Sequence, residues 1–250
     1  MALPQAGMTA SAPSVQTNAL PMHRAGRPAL PELLEGHGIA MKVRRRQRIT
    51  FASSDQIYVV QSGLLVLSAN AGSDRRQLLC LLYPGDVFSP AQAPPLDGIG
   101  MIAMTDCELS RLRASAFEQD QEATLLINRY IAESTSSMHA RAMLHIARLS
   151  SLPSETRVAA FLLELALRLG RVSNDQVSCD LPLSRSDIAD YLSLNADTLS
   201  RIMTRLKERG TIATIGRSRT IVKSVKKLCQ DVPVCAATMA LHAQQQLEAS

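Results

Sequence analysis

The apolar pattern predicts an α+β chain with its strands first and its helices after. Residues 41–112 carry short apolar runs divided by turn signals. Residues 115–147 then keep helical spacing without one Pro or Gly. Residues 181–223 read as two capped helices followed by a short hairpin.

Residues 1–30 are rich in Ala, Pro, Ser and Gln and hold no period, so a flexible tail is expected there. Within residues 31–114, Gln56-Ile-Tyr-Val-Val60, Leu64-Leu-Val-Leu67, Gln77-Leu-Leu-Cys-Leu-Leu82 and Met101-Ile-Ala-Met104 read as strands. Ser62-Gly63, Asn70-Ala-Gly-Ser-Asp74, Pro84-Gly85-Asp86 and Asp97-Gly98 turn the chain between them. Short strands at this spacing suggest a sandwich or barrel.

Residues 115–149 follow as one helix. About thirty residues span roughly 45 Å, long for a small globular protein. Its position between two domains points to pairing with a second copy. Ile127, Tyr130, Ile131, Ser134, Met138 and Arg141 recur at threes and fours and are the expected dimer seam.

Residues 150–228 form the next unit, and residues 229–250 a helix-prone or loose tail. Ser150-Ser-Leu-Pro-Ser154 breaks the long helix, and Pro153 suits a first helical turn. Residues 158–166 are strongly apolar and should be core; Gly170 stops them. Residues 174–183 read as a short polar-to-extended connection. Ser184 and Asp187 make a capping-box-like start. Ile188, Ala189 and Leu192 form one stripe, and Leu194 should plug the turn Ser193-Leu194-Asn195. Asn195 caps a second helix that turns Leu199, Ile202, Met203 and Leu206 inward. Asp197, Ser200, Arg201, Thr204 and Arg205 lie outward, and Gly210 ends the helix. Residues 211–215 and 220–223 then flank Gly216-Arg-Ser-Arg219 as a wing, and a short helix follows from Val225.

Charge follows this layout. The net charge is +5, and nine of the cations fall between Thr198 and Lys227 with Glu208 as the sole acid. That distribution suits an anionic partner. A second cluster, Lys42-Val-Arg-Arg-Arg-Gln-Arg48, reads as a solvated strand or loop face. The outer face of the second capped helix suits base edges in a major groove. An arginine there can donate twice to guanine, and a short acid can accept from cytosine. Asp197, Ser200 and Arg201 stand on that outer face. Ser184, Arg185, Asn195, Thr198, Arg217 and Arg219 are the expected phosphate contacts. Double-stranded DNA is the expected partner.

The five cysteines are scattered, odd in number and without CxxC spacing. They argue against a disulfide framework and a zinc site, and fit a reducing cytoplasm. No metal site is expected. No run of 18 apolar residues predicts a membrane helix, and no basic stretch leads an apolar core as in a secretory signal. No nucleophile triad, phosphate loop or metal spacing points to an enzyme. Without Trp, and with few aromatics, the cores must be aliphatic.

Over residues 155–222, and collinearly over 41–150, the sequence resembles the Crp/Fnr family of bacterial regulators, in its FNR and FixK branch. Arg157-Val-Ala-Ala-Phe-Leu-Leu-Glu-Leu165, Leu183-Ser-Arg-Ser-Asp-Ile-Ala-Asp-Tyr-Leu192 and Thr198-Leu-Ser-Arg201 carry the likeness. The resemblance implies a cyclic-nucleotide-binding-like β-roll, a dimerisation helix and a C-terminal winged helix-turn-helix. It implies a homodimer on a palindrome with TTGA-like half-sites, with RNA polymerase as a further partner. The family reads bases with Glu-x-x-Ser-Arg; this chain has Asp197-Thr-Leu-Ser200-Arg201, its acid one methylene shorter, so the resemblance implies Asp197, Ser200 and Arg201 as the base contacts.

The sensor motifs of the family are missing. Tyr83-Pro-Gly-Asp-Val-Phe88 matches the turn before the family's phosphate cassette, but Ser89-Pro-Ala-Gln-Ala-Pro-Pro-Leu-Asp-Gly98 lacks its Gly-Glu-x-x-Leu and Arg-Ser/Thr-Ala. A cyclic phosphate needs an arginine and amides to offset its charge. Gly85 and Asp86 are therefore expected as a structural turn. No cysteine precedes Cys80, which disfavours the iron–sulfur cluster of FNR. Haem-dependent nitric-oxide sensing is the alternative, with His23, His37, His139 and His145 as candidate ligands. The expected reading is a FixK-like activator of low-oxygen or nitrogen-oxide metabolism, without a cofactor. Some FixK proteins carry a reactive cysteine at the start of the helix-turn-helix. Ser184 stands there in this chain, and Cys179 lies five residues earlier as a candidate redox residue.

Overall fold

Eight strands form first, in two four-stranded antiparallel sheets. They are β1 (Ile39–Val43), β2 (Arg48–Thr50), β3 (Gln56–Ser62), β4 (Leu65–Asn70), β5 (Arg76–Leu82), β6 (Val87–Phe88), β7 (Gly100–Ala103) and β8 (Cys107–Arg113). The sheets order as β1-β8-β3-β6 and β2-β7-β4-β5. The computed structural model describes residues 36–70, 76–173, 176–215 and 219–242. The expected tail at 1–30 and the tip of the 70–76 hairpin at 71–75 lie outside them.

Strands β3, β4 and β7 read as nearly unbroken apolar runs because they are buried on both faces. Tyr58 and Val60 point between the sheets with Leu65, Leu67, Phe88 and Met101. Ile57 and Val59 point the other way, onto Phe117, Ile127 and Tyr130. Leu64 and Val66 turn outward from the second sheet and join the apolar cluster of the C-terminal helices. Gly63 makes the β3–β4 turn at φ 87°, where a Cβ would sit 2.5 Å from the Asp106 carbonyl oxygen.

Helix α1 runs over Gln121–Ser151, capped by Asp120, whose side chain accepts from the Ala123 amide. It starts later than expected because a 3-10 turn at Ala114–Phe117 intervenes. Its inner face, expected to meet a second copy, packs on the β-domain of its own chain. Ile127 and Tyr130 are buried on the first sheet, with Ile131 partly buried beside them. Met138 packs on the β-core. Ser134 Oγ accepts from the Val87 amide at 2.8 Å. Arg141 donates to Asp86 at 2.6 and 3.2 Å. All six residues are occupied by their own chain. The open face is instead Leu125 (65% exposed), Met143 (46%) and Ile146 (55%).

Helix α2 covers Ser154–Leu169 and is buried over nearly its whole length. The connection expected over 174–183 proves to be part of a hairpin, with β9 at Arg171–Ser173 and β10 at Gln176–Asp180. Two capped helices follow, α3 at Arg185–Tyr191 and α4 at Ala196–Glu208. β11 (Ile212–Ile215) and β12 (Arg219–Val222) complete a sheet of order β11-β12-β10-β9. The wing is thus half of a four-stranded sheet.

The chain after the wing is no loose tail up to His242. α5 (Val225–Gln230) and α6 (Cys235–His242) fold back, and α6 packs on α2 and α1. A disulfide joins Cys229 to Cys235 across the turn between them, Cα atoms 5.3 Å apart. The sequence reading argued against a disulfide framework; this local pair, six residues apart, departs from it.

A buried polar network lies where the β-domain, α1, α2 and α6 meet. Glu164 accepts from the Tyr83 hydroxyl at 2.8 Å and from Arg148 at 2.6 Å. Arg148 also donates to Thr238 at 2.8 Å. Arg168 donates to His242 Nδ1 at 3.1 Å and stacks over the Tyr83 ring. His242 therefore carries its proton on Nε2. Asp86 accepts from Arg141 and from the Tyr83 amide, so the Tyr83-Pro-Gly-Asp86 turn is structural.

The network makes the fold acid-sensitive in two steps. Burial pushes His242 down to about 4, despite nearby Glu164. Burial alone would raise Glu164, but His242, Arg148 and the Tyr83 hydroxyl hold it at about 2. Both groups are depressed in the folded chain, so the unfolded chain binds the extra protons. Stability from His242 is present above about pH 6.5 and is lost toward pH 4; stability from Glu164 is lost from about pH 4.5 toward 2. Urea midpoints measured from pH 8 to pH 4 should fall steadily below pH 6.5. A flat profile to pH 4.5 would contradict the assignment of a neutral, buried His242.

Candidate DNA-binding surface

The helix-turn-helix forms through local chemistry. Ser184 caps α3: its Oγ accepts from the Asp187 amide at 3.1 Å, and Asp187 accepts in return from the Ser184 amide at 3.3 Å. Such reciprocal caps contribute about 1 kcal/mol each. Ser193 makes the turn at φ 53°. The Leu194 amide donates to the Ala189 carbonyl at 2.8 Å, and its side chain packs on the core. Asn195 Oδ1 accepts from the Thr198 amide at 2.6 Å and starts α4. Gly210 ends the unit at φ 68°.

Burial of Leu199, Ile202, Met203 and Leu206 fixes the rotation of α4. Asp197, Ser200, Arg201 and Thr204 consequently face solvent on one side. Among the described residues, the Asp197 and Arg201 side chains have no hydrogen bond or ion pair, so both are free to meet a partner. Arg205 is different. It pairs with Glu155 at the start of α2 at 2.9 Å, and Arg209 joins the same carboxylate. Sequence spacing placed Arg205 on the open face; the tertiary partner that fastens it lies fifty residues away and left no local signal.

The expected phosphate contacts divide. Ser184 and Asn195 serve as helix caps, and Thr198 is half-buried. Arg185 is half-buried, and one guanidinium nitrogen has no partner among the described residues. Arg219 opens β12, while Arg217 lies outside the described residues. Lys207, Lys223, Lys226 and Lys227 are exposed. Arg157, which sequence reasoning used only as part of a motif, donates to the Leu192 carbonyl at 2.9 Å and closes the end of α3.

Cys179 does not match a redox residue near DNA. It lies in β10, buried at 4% exposure, with its thiol 3.7 Å from the Leu165 carbonyl. Burial pushes its pKa up to about 12, whereas reactive thiols need a lowered one. The candidate haem histidines are placed apart in kind. His145 is buried and stacked on Tyr191 with ring centroids 4.0 Å apart. His37 lies edge-on to Phe117, and His139 is exposed on α1. His23 is outside the described residues. Among the described residues no group of His, Cys, Asp and Glu has metal-holding geometry, and no helix is long and apolar enough to cross a membrane.

Residues 156–231 match the model of the Crp-like helix-turn-helix domain. The chain is 32% identical to the nitrogen fixation regulation protein FixK of Azorhizobium caulinodans, covering 68% of each. It is 29% identical to the transcriptional activator protein FnrL of Cereibacter sphaeroides, covering 71% of this chain and 73% of that one. The structure of FixK2 from Bradyrhizobium japonicum superposes with a TM-score of 0.66 at 25% identity, covering 78% of this chain and 97% of the other.

Proposed function

We propose that this chain, which belongs to the FixK/FNR branch of the Crp/Fnr family of transcription regulators, binds DNA as a homodimer on a palindrome with TTGA-like half-sites. The observation that carries the reading is the outer face of α4, where Asp197, Ser200 and Arg201 stand exposed on a helix whose rotation the core fixes. Arg201 donates to guanine, Ser200 lies beside it, and Asp197 accepts from cytosine. Arg185 and the wing arginines Arg217 and Arg219 offset backbone phosphate. We read residues 31–114 as sensor-like, 115–149 as the dimer helix and 150–228 as the DNA-binding unit.

The dimer seam is the open face of α1. Leu125, Ala132, His139 and Ile146 recur every seven residues, with Ser136 and Met143 between them. A heptad stripe of this kind suits a parallel helix pair. Its two-fold axis matches a palindromic site.

The regulator acts in the cytoplasm, with RNA polymerase, as an activator of low-oxygen or nitrogen-oxide metabolism genes. It needs no cyclic nucleotide or iron–sulfur cluster. Asp86, in the turn that resembles the phosphate-cassette lead, is already paired with Arg141. Cys80, Cys107 and Cys179 have thiol pKa values raised by burial, which suits them poorly as thiolate ligands.

Arg201→Ala tests the base-reading role. It should lose about 1–3 kcal/mol of discrimination at one guanine and little on scrambled DNA. Titration of wild type and variant against both duplexes decides it. Equal losses on the two sequences would make Arg201 a phosphate contact instead.

A further inference from the structure

Part of the exposed basic cluster near the N-terminus lines a cleft. Arg45, Arg46 and Arg48 line one wall of a cleft of about 460 Å³, and Arg76 lies with them. The opposite wall is Pro182, Ser184, Ser186 and Asp187, the lead into α3. Four arginines and one carboxylate, Asp187, thus line a cleft between the β-domain and the helix-turn-helix.

The partners of these arginines leave positive charge uncompensated. Arg76 pairs with Asp187, and Arg48 donates to the Gly98 carbonyl. Among the described residues, the Arg45 and Arg46 side chains have no hydrogen bond or ion pair. Their backbone is nevertheless tightly held. The Arg45 amide donates to Asp106 Oδ1 at 2.8 Å, and the Arg46 amide to the Ala103 carbonyl at 2.7 Å. Arg46 sits at φ 69°, a left-handed conformation that costs a non-glycine residue about 1 kcal/mol.

We propose that this cleft binds a small anion bearing linked phosphate groups, either free polyphosphate or the diphosphate of a nucleotide. Guanidinium forks match phosphate oxygens in charge and geometry, and several phosphates are needed to offset several arginines. The volume suits a nucleotide-sized ligand. A concave cleft between domains fits a compact ligand better than the convex backbone of a duplex. The ligand also competes with Asp187 for Arg76. Asp187 caps α3, so occupancy reaches the DNA-binding unit.

Calorimetric titration of the full chain with pyrophosphate, ADP and sulfate at matched ionic strength tests the site without any DNA. Its outcome is therefore separate from that of the DNA-binding reading. Pyrophosphate and ADP should bind, and sulfate should not. Affinity for ADP above pyrophosphate identifies a nucleotide ligand; equal affinity identifies free polyphosphate. The variant Arg45→Gln/Arg46→Gly should bind either one at least about tenfold more weakly. Its thermal midpoint should be unchanged or raised, because glycine relieves the backbone at position 46. Absence of binding by wild type, equal binding of sulfate, or undiminished binding by the variant would overturn the proposal.

Discussion

Glu164→Ala should lower the unfolding free energy by about 3–5 kcal/mol, the usual cost of stripping one partner from a buried ion pair. The carboxylate is 4% exposed and holds both Tyr83 and Arg148. Its removal leaves the Arg148 guanidinium buried beside Thr238 without its counter-charge. The Tyr83 hydroxyl loses its acceptor at the same time. Replacing both ions, Glu164→Leu with Arg148→Met, should recover much of the loss, because two desolvated charges are then removed together. Urea denaturation followed by circular dichroism gives the numbers. A loss below about 1 kcal/mol for Glu164→Ala would mean that water reaches the network and that it does not fasten the domains.

Ile146→Glu should raise the dimer dissociation constant by about a hundredfold or more. Two-fold symmetry brings two new carboxylates to one seam, and like charges placed together cost several kcal/mol. The residue is 55% exposed in the single chain, so the fold itself should tolerate the change. Ile127→Ala should do the reverse. That side chain is buried under the β-domain, and its truncation should cost about 2–5 kcal/mol of stability with dimer affinity retained. Sedimentation equilibrium on both variants separates the faces. Dissociation by Ile127→Ala in a folded chain would restore the inner face as the seam.

The same helix shows why the sequence was only partly legible. Both long faces of α1 repeat at threes and fours, so periodicity alone could not say which one meets the β-domain. The inner face was assigned to a partner from the helix's position between two domains, yet it carries the polar Ser134 and Arg141. Those groups are satisfied by the Val87 amide and by Asp86, partners distant in sequence. The helix-turn-helix was legible for the opposite reason. Its caps at Ser184 and Asn195, the plug at Leu194 and the stop at Gly210 are all local. Strands β3, β4, β5 and β7 stood out as apolar runs. β9 and β10 did not, since they are short and carry little apolar signal. The Glu155 clasp on Arg205 depends on docking that no local pattern encodes.

The most direct test of DNA reading by α4 is the affinity of the full chain for a duplex carrying a TTGA-like palindrome, against a scrambled duplex, at physiological salt. Binding to the palindrome should be about a thousandfold tighter or more. Equal affinity for the two duplexes would contradict sequence-specific recognition by Asp197, Ser200 and Arg201.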